Sequence, residues 1–429
     1  MQRIKRLVVA SVLLGSCGVT SVVAGGNATA TTSSAPIVVG GDGDLALNTG
    51  IAQGFEAGIY RFNKAGGLDG RKIKFTGFLD DGLSSTTNLT NAQQLVENQH
   101  VMAIAPVSSA VATASTGTFL QQSKVPFIGW STSTPFEAAR SWGFGVNGNQ
   151  SNPNVLGSWG WPMLLKLTGN TKTPGKLKAA FIAENIAPGI TANNGGVGVA
   201  KYFGVKVVYQ EAPIPVLGAT TYAPYAQAIV ASGANLAFET LDSADAIGLA
   251  AALKSAGFKG IIVNGVTYFP GQLASQPNET AALNGVYVLD EFPANEDNTP
   301  AVKQAEKDLV SVGQQPYLTS GVSIGYWSAI LLEQMLRATL KSVGGDPIKV
   351  TGATLQATAA HFTYTDPIPG GIGTEYFPTA QTIPTGCGTL VRTEGTKFKQ
   401  IDQYICTGSV NIVTKQMLSQ KTGQPISSK

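Results

Sequence analysis

Histidine is almost missing: His100 and His361 are the only two in 429 residues, and neither has a second histidine three or four residues on. A zinc enzyme built on imidazole ligands is therefore excluded. Cysteine is scarce too, at three residues, and charged side chains make up only 13%. The 29 Lys and Arg, less Arg3, Lys5 and Arg6 in a leader, balance 26 Asp and Glu. A chain this close to neutral has no electrostatic footprint for nucleic acid or an anionic membrane surface. No Gly-Lys-Ser or Gly-Lys-Thr phosphate loop occurs, and Val38 to Asp44 (VVGGDGD) lacks the third glycine of a dinucleotide fingerprint. That stretch reads as a flexible turn, and the sequence calls for no cofactor and no metal.

The leader is present. Arg3, Lys5 and Arg6 precede an uncharged apolar stretch from Leu7 to Ser16, the pattern of an export signal in residues 1–24. The stretch is too short to span a bilayer, and no later run is long enough. Two processing readings stand side by side. Leu14-Gly15-Ser16-Cys17 has the form of a lipoprotein signal, with Cys17 as the lipidated residue, whereas Val22-Val23-Ala24 offers the small-residue pattern of ordinary cleavage. Residues 25–35, rich in Gly, Ala, Thr and Ser, suit a flexible tether either way. The remaining roughly 390 residues exceed what one core serves, so two domains are expected.

With Cys17 used or removed, Cys387 and Cys406 are left for an oxidising compartment to join. Thr389 to Thr393 and Lys397 to Ile401 read as strands around a turn at Glu394-Gly395, which brings the pair together. A disulfide closing such a loop contributes about 3 kcal/mol by chain entropy.

From Pro36 short apolar runs alternate with helical patterns. Strands are expected at Ile37–Gly40, Lys72–Phe78, Val101–Ala105 and Pro126–Ile128, with helices at Ile51–Phe62, Thr86–Glu97 and Ala110–Gln122. The alternation restarts with strands at Leu177–Ala183, Val205–Tyr209, Leu236–Glu239 and Ile261–Val263, separated by helices at Ala192–Tyr202, Tyr222–Ala231 and Ala244–Ala256. This predicts an α/β protein of two Rossmann-like lobes, each a parallel sheet covered by helices. Gly145–Pro153 and Phe292–Pro300 are the expected hinges; two helices follow the second, at Val302–Val312 and Val322–Leu340.

Four segments carry a resemblance. Asn63 to Ile73 (NKAGGLDGRKI) leads into a strand ending in Asp80-Asp81. Ala103 to Val111 (AIAPVSSAV), Val125 to Phe136 (VPFIGWSTSTPF) and Leu253 to Lys259 (LKSAGFK) follow in order. Together they resemble the leucine/isoleucine/valine-type substrate-binding proteins of ABC importers over most of Pro36 to Thr365. The resemblance implies a type I periplasmic-binding-protein fold with hinge crossovers. Lobe 1 is then residues 36–147 plus 291–360, lobe 2 is 148–290 plus 361–412, and 413–429 is a polar tail expected to be disordered. It implies further an exported monomer, in the periplasm or on the outer face of the cytoplasmic membrane. Its partners would be a small amino acid or carboxylate and a membrane permease, and it would not be an enzyme.

The site expectations come from both sources. Ser108 and Ser109 stand where a strand gives way to a helix, so a hydroxyl can cap it while unpaired backbone N–H groups face outward. Trp130 to Thr134 precede Pro135 at the end of a neighbouring strand, where open α/β sheets bind ligands. The resemblance assigns a ligand carboxylate to Ser109 and Ser133, with Thr132 contributing backbone contacts. It also expects an acid for the ligand ammonium in the loop after Ile261–Val263. There the sequence has Asn264-Gly265-Val266-Thr267-Tyr268-Phe269, with Val266 near the expected acid. Asp242 or Asp245 could substitute, or serve only as helix-start acids. The family's tyrosine is not visible in Asn185–Asn194. Amine-bearing and amine-free carboxylates both stay open. Trp130, Tyr268 and Phe292 either line an apolar wall or belong to the core.

Overall fold

The computed structural model describes residues 35–216 and 218–426. The export signal, both processing readings and Cys17 lie outside the described residues, as do residues 25–34 of the tether. The elements run β1 (Ile37–Gly43), α1 (Ile51–Lys64), β2 (Ile73–Asp80), α2 (Ser85–Gln93), β3 (Ala103–Ser108), α3 (Ala114–Gln122), β4 (Phe127–Gly129), α4 (Pro135–Ala138) and β5 (Gly143–Gly145). Next come β6 (Val155–Gly157), α5 (Gly160–Leu167), β7 (Lys178–Glu184), α6 (Ala187–Tyr202), β8 (Lys206–Ile214), α7 (Ala223–Ala231), β9 (Leu236–Thr240), α8 (Ser243–Ser255), β10 (Ile261–Asn264), α9 (Pro277–Leu283) and β11 (Tyr287–Asp290). The chain continues through α10 (Pro300–Ser311), α11 (Ser320–Ser342), α12 (Gly352–Ala359), β12 (Thr363–Tyr364), β13 (Glu375–Tyr376), β14 (Cys387–Glu394), β15 (Lys397–Cys406), β16 (Ser409–Asn411) and β17 (Gln416–Leu418).

Lobe 1 is a parallel sheet in the order β2-β1-β3-β4-β5. Helix α1 buries Ile51, Phe55, Ile59 and Phe62, spaced along one face, and carries Arg61 and Lys64 in its last turn, where the helix dipole favours cations. It lies against α11. A methyl group on Gly54 would sit 2.0 Å from the Val322 carbonyl oxygen, and one on Gly325 1.9 Å from that of Ile51, so the helices touch backbone to backbone through glycine.

Lobe 2 repeats the plan. Its parallel strands run β11-β10-β9-β7-β8, the same permutation as lobe 1, and β14 and β15 extend the sheet antiparallel beyond β11. Strand β7 (KAAFIAE) is buried from Ala179 to Glu184, as a central strand covered on both faces requires. The β14–β15 hairpin turns at Gly395-Thr396, one residue later than expected, with Gly395 at φ 59°. Cys387 and Cys406 face each other in the ladder and are joined, with Gly373 packed so closely that a Cβ there would meet both sulfurs.

Two boundaries differ from expectation. Tyr364, Ile372, Phe377 and Ala380 pack into the lobe 1 core, so the last crossover falls between Gln381 and Cys387 rather than at residue 360. The apolar side chains of an otherwise Pro- and Gly-rich stretch decide this. The tail is ordered through residue 426: β16 pairs with both β6 and β17, and Leu418 is buried. Met417 and Leu418, with Val410 and Ile412 just ahead of the tail, supply the apolar contacts that its polar composition hides.

The first and third crossovers bond to each other. Thr385 N–H donates to the Asn147 carbonyl at 2.9 Å and Asn149 N–H to that of Ile383 at 3.1 Å. The second crossover joins through Asn147 Nδ2, 2.8 Å from the Glu291 carbonyl oxygen. Buried carboxyls sit among these strands. Burial pushes Asp290 and Glu375 each up to about 8, although Glu375 accepts the Asn147 N–H at 2.8 Å.

Candidate functional site

In a sheet of this order the strand sequence reverses direction between the first and third strands of each lobe, and ligands bind outside the carboxyl ends there. In lobe 1 that point lies between β1 and β3. Gly43 ends β1 so close to Ser108 that a Cβ would lie 1.7 Å from its carbonyl oxygen. The stretch expected to be a flexible turn is instead strand followed by a buried acidic cluster. Asp42 accepts from Asn91 Nδ2 at 3.0 Å and Asn88 Nδ2 at 2.9 Å, while Asp44 accepts from Asn48 Nδ2 at 2.9 Å and the Ala110 N–H at 3.0 Å. Asp81 accepts from the Leu83 N–H at 2.9 Å and from Ser109 Oγ at 2.5 Å. Burial raises all three carboxyls, Asp42 furthest and Asp44 to about 6.

This arrangement corrects the reading of Ser108 and Ser109. Helix α3 begins at Ala114, and Ser108 is the last residue of β3, buried, with its carbonyl taken by the Asp44 N–H. Ser109 donates to Asp81 and accepts the N–H groups of Val111 and Ala112 at 3.3 and 3.1 Å. The donors expected to await a ligand carboxylate are thus occupied by the protein's own Asp44, Asp81 and Ser109.

The loop after β4 differs. Trp130 Nε1 donates to Glu291 Oε2 at 3.0 Å, and Ser131 Oγ donates to the Gly148 carbonyl at 2.5 Å while accepting the Gln150 N–H at 3.0 Å. Those bonds fix the loop against the hinge. Ser133, 5% exposed, keeps a hydroxyl with no partner among the described residues, beside half-buried Thr132 and just before α4, where Pro135 is the first helical residue. A buried hydroxyl left unbonded costs free energy until something bonds it.

In lobe 2 the reversal lies between β7 and β9. Glu184 ends β7 and accepts the Asp242 N–H at 2.5 Å; Asp242 caps α8 by accepting the Asp245 N–H at 2.8 Å; Asp245 accepts the Tyr222 hydroxyl. Asp242 therefore is a helix cap, and Asp245 is fully buried in the first turn. Burial, with the neighbouring charges of Asp242 and Asp245, pushes Glu184 up to about 7, and burial raises Asp245. Nothing in hydropathy distinguished Glu184, which follows five apolar residues.

Two aromatic assignments are settled by packing. Tyr268 is fully buried, its ring 4.8 Å from that of Phe398 and its hydroxyl 2.5 Å from Glu296 Oε2, and Phe292 lies in the lobe 1 core. Both are core rather than cleft wall. Loop Asn264–Phe269 folds on itself, with Asn264 Oδ1 accepting from the N–H groups of Val266 and Thr267 and from the Thr267 hydroxyl. A Gly-x-Ser-x-Gly spelling at Gly321–Gly325 lies inside α11, with Ser323 buried, and not on the strand-to-helix turn that exposes a nucleophile.

The family description "periplasmic binding protein" matches residues 37–397, most of the chain. The chain belongs to the periplasmic binding protein family. Members bind solutes and are not enzymes, and the family implies export and a small-molecule ligand. Among solved structures, this periplasmic binding protein is similar to a fatty acid ABC transporter substrate-binding protein from Thermomonospora curvata, with 18% identity over 87% of this chain and 93% of that one, TM-score 0.68. It is similar to a solute-binding protein of an R. palustris ABC transporter in complex with 4-hydroxybenzoate, with 20% identity, 86% and 97% coverage, TM-score 0.66. A branched-chain amino acid ABC transporter protein from Thermus thermophilus with bound valine shares 12% identity over 87% and 97%, TM-score 0.68. These likenesses establish the type I fold. No curated protein matches the sequence. Among the described residues no helix is long and apolar enough to cross a membrane.

Proposed function

We propose that this protein is the substrate-binding component of an ABC importer, closing its two lobes over a small carboxylate-bearing solute and presenting the closed form, as a monomer, to a membrane permease. The carrying observation is the Ser133 hydroxyl, buried and without an acceptor or donor among the described residues, in the loop after β4 of lobe 1. A carboxylate oxygen placed there completes it, with Thr132 beside it and the Trp130 ring held in place by Glu291. Affinity then reflects the balance of open and closed states as well as these contacts.

The solute is a branched-chain or related amino acid in the first reading, in keeping with the valine bound to one structural neighbour. Val266, standing where an ammonium-pairing acid is expected, favours a second: an aromatic or other amine-free carboxylate, as in the 4-hydroxybenzoate complex of another neighbour. A thermal-shift screen against leucine, valine, polar amino acids and hydroxybenzoates separates the two, because a ligand of the folded state raises the melting temperature. Ser133→Ala should weaken binding of the hit by about 1 to 2 kcal/mol, the scale of a hydrogen bond to a charged group. Unchanged affinity would remove Ser133 from the site.

A further inference from the structure

The Glu184, Asp242 and Asp245 carboxylates each offer an oxygen such that all three lie within 4.8 Å of one another. Three carboxylates this close repel one another when ionised, and among the described residues no Lys, Arg or His pairs with them. Their internal bonds occupy one oxygen each: the Asp242 N–H on Glu184 Oε1, the Asp245 N–H on Asp242 Oδ1, and the Tyr222 hydroxyl on Asp245 Oδ1. The second oxygen of Asp245 is buried in a fully buried residue and has no partner among the described residues. An oxygen so placed forfeits its hydration unless a positive group meets it.

We propose that these three residues form a binding site for a divalent cation, Ca2+ in the first instance, at the carboxyl ends of β7 and β9. The donor set is all oxygen, with no nitrogen or sulfur among the acids, which suits a hard cation. Several carboxylates with adaptable spacing suit Ca2+ better than Mg2+, which demands octahedral geometry and keeps its water. Charge also argues for a divalent ion, since a single ammonium would leave most of the repulsion in place. Tyr222 then orients Asp245 so that Oδ2 faces the ion, and the cap on α8 orients Asp242. The three ligands come from lobe 2 alone, so the ion can be tested without any solute.

The test is calorimetric titration of chelator-treated protein with CaCl2 and MgCl2, without any solute, together with thermal shift in the same buffers. One Ca2+ per chain, a higher melting temperature with Ca2+, and a loss of affinity of about tenfold or more in Glu184→Gln and in Asp242→Asn are expected. Tb3+ provides a readout that does not depend on those variants folding. Bound at this site it should show tyrosine-sensitised emission that Ca2+ quenches by displacement and that Tyr222→Phe reduces. Absence of Ca2+ heat and of sensitised emission would overturn the proposal, as would Ca2+ affinity unchanged in both variants. Stabilisation by amine-bearing solutes with none by Ca2+ would overturn it too, assigning the three acids to an ammonium group. Solute binding measured separately in metal-free buffer tells failure of this site from failure of the carboxylate reading at Ser133.

Discussion

The two lobes share one strand order and place acids at the same topological position, yet they treat those acids differently. In lobe 1 every carboxylate oxygen of Asp42, Asp44 and Asp81 receives at least one donor, from Asn48, Asn88, Asn91, Ser109 or backbone N–H groups. In lobe 2 Glu184, Asp242 and Asp245 have one bonded oxygen each. A saturated cluster is architecture: it ties β1, β2, β3 and α2 together and has no free valence for a ligand. A half-satisfied one has capacity left. The difference teaches that position in the fold marks where a ligand can bind, while the tally of donors marks whether anything is still wanted there.

The saturated side should be the more costly to break. Asp42→Ala leaves one N–H of each of the buried Asn88 and Asn91 amides unbonded, their second bonds to Asp81 and the Asp80 carbonyl remaining, and should lower stability by about 3 kcal/mol in urea unfolding, the sum expected for two unsatisfied buried donors. A loss well under 1 kcal/mol would show that lobe 1's cluster does not tie its strands together.

The hinge offers an acid of the half-satisfied kind that no ligand is asked to meet. Glu375 Oε1 accepts the Asn147 N–H, whereas Oε2 is buried without a partner among the described residues. Its folded pKa is raised to about 8 from an ordinary 4.5, so the folded protein holds a proton that the unfolded chain releases. Stability from this group is therefore full below about pH 4.5 and declines as pH rises to about 8. Asp290, also raised to about 8, acts in the same direction. Glu375→Gln should flatten that decline and unfold at higher denaturant than the parent at pH 8. Parallel pH profiles for the two proteins would refute it.

Serines sharpen the contrast within lobe 1. Ser109→Ala removes the donor to Asp81 Oδ2 and the acceptor for two backbone N–H groups, a loss of about 1 kcal/mol in stability. Ser133→Ala removes no hydroxyl bond seen among the described residues and should leave stability within a few tenths of a kcal/mol. Equal losses in denaturant midpoint would mean that the two hydroxyls do not differ as argued.

The sequence already displayed the alternation that builds both sheets, because runs such as Ala179–Ala183 and Ala103–Ala105 are buried on both faces and read as unbroken apolar stretches. Strand β5 was not legible: Gly-Phe-Gly has no alternation, and its place at the edge comes from pairing with β4. The acids were misread for a related reason. Whether Asp42 is a turn residue or a buried tie depends on Asn88 and Asn91, 46 and 49 residues away, and no local pattern announces such partners. Ser109 was visible as a hydroxyl at a strand end, but the Asp81 that occupies it is 28 residues distant. Asp242, by contrast, was legible as a cap from its place before an apolar helical pattern, since capping is a local bond three residues long.

One further effect is small, but its sign separates the lobes most directly. Asp245→Asn keeps an oxygen for the Tyr222 hydroxyl and removes one of three crowded negative charges. In lobe 1 such a change would cost stability, because a donor-matched oxygen would be replaced by a second donor group. In lobe 2, in chelator-treated buffer, it should raise stability by about 0.5 kcal/mol, since relief of like-charge repulsion outweighs the weaker hydrogen bond to a neutral amide. Adding Ca2+ should reverse the order, lifting the parent above the variant, because a ligand of the folded state stabilises only the protein that binds it. Denaturant midpoints of both proteins with and without Ca2+ give the four numbers needed. A variant less stable than the parent in the absence of metal would place Asp245 with the structural acids of lobe 1, its unpartnered oxygen notwithstanding.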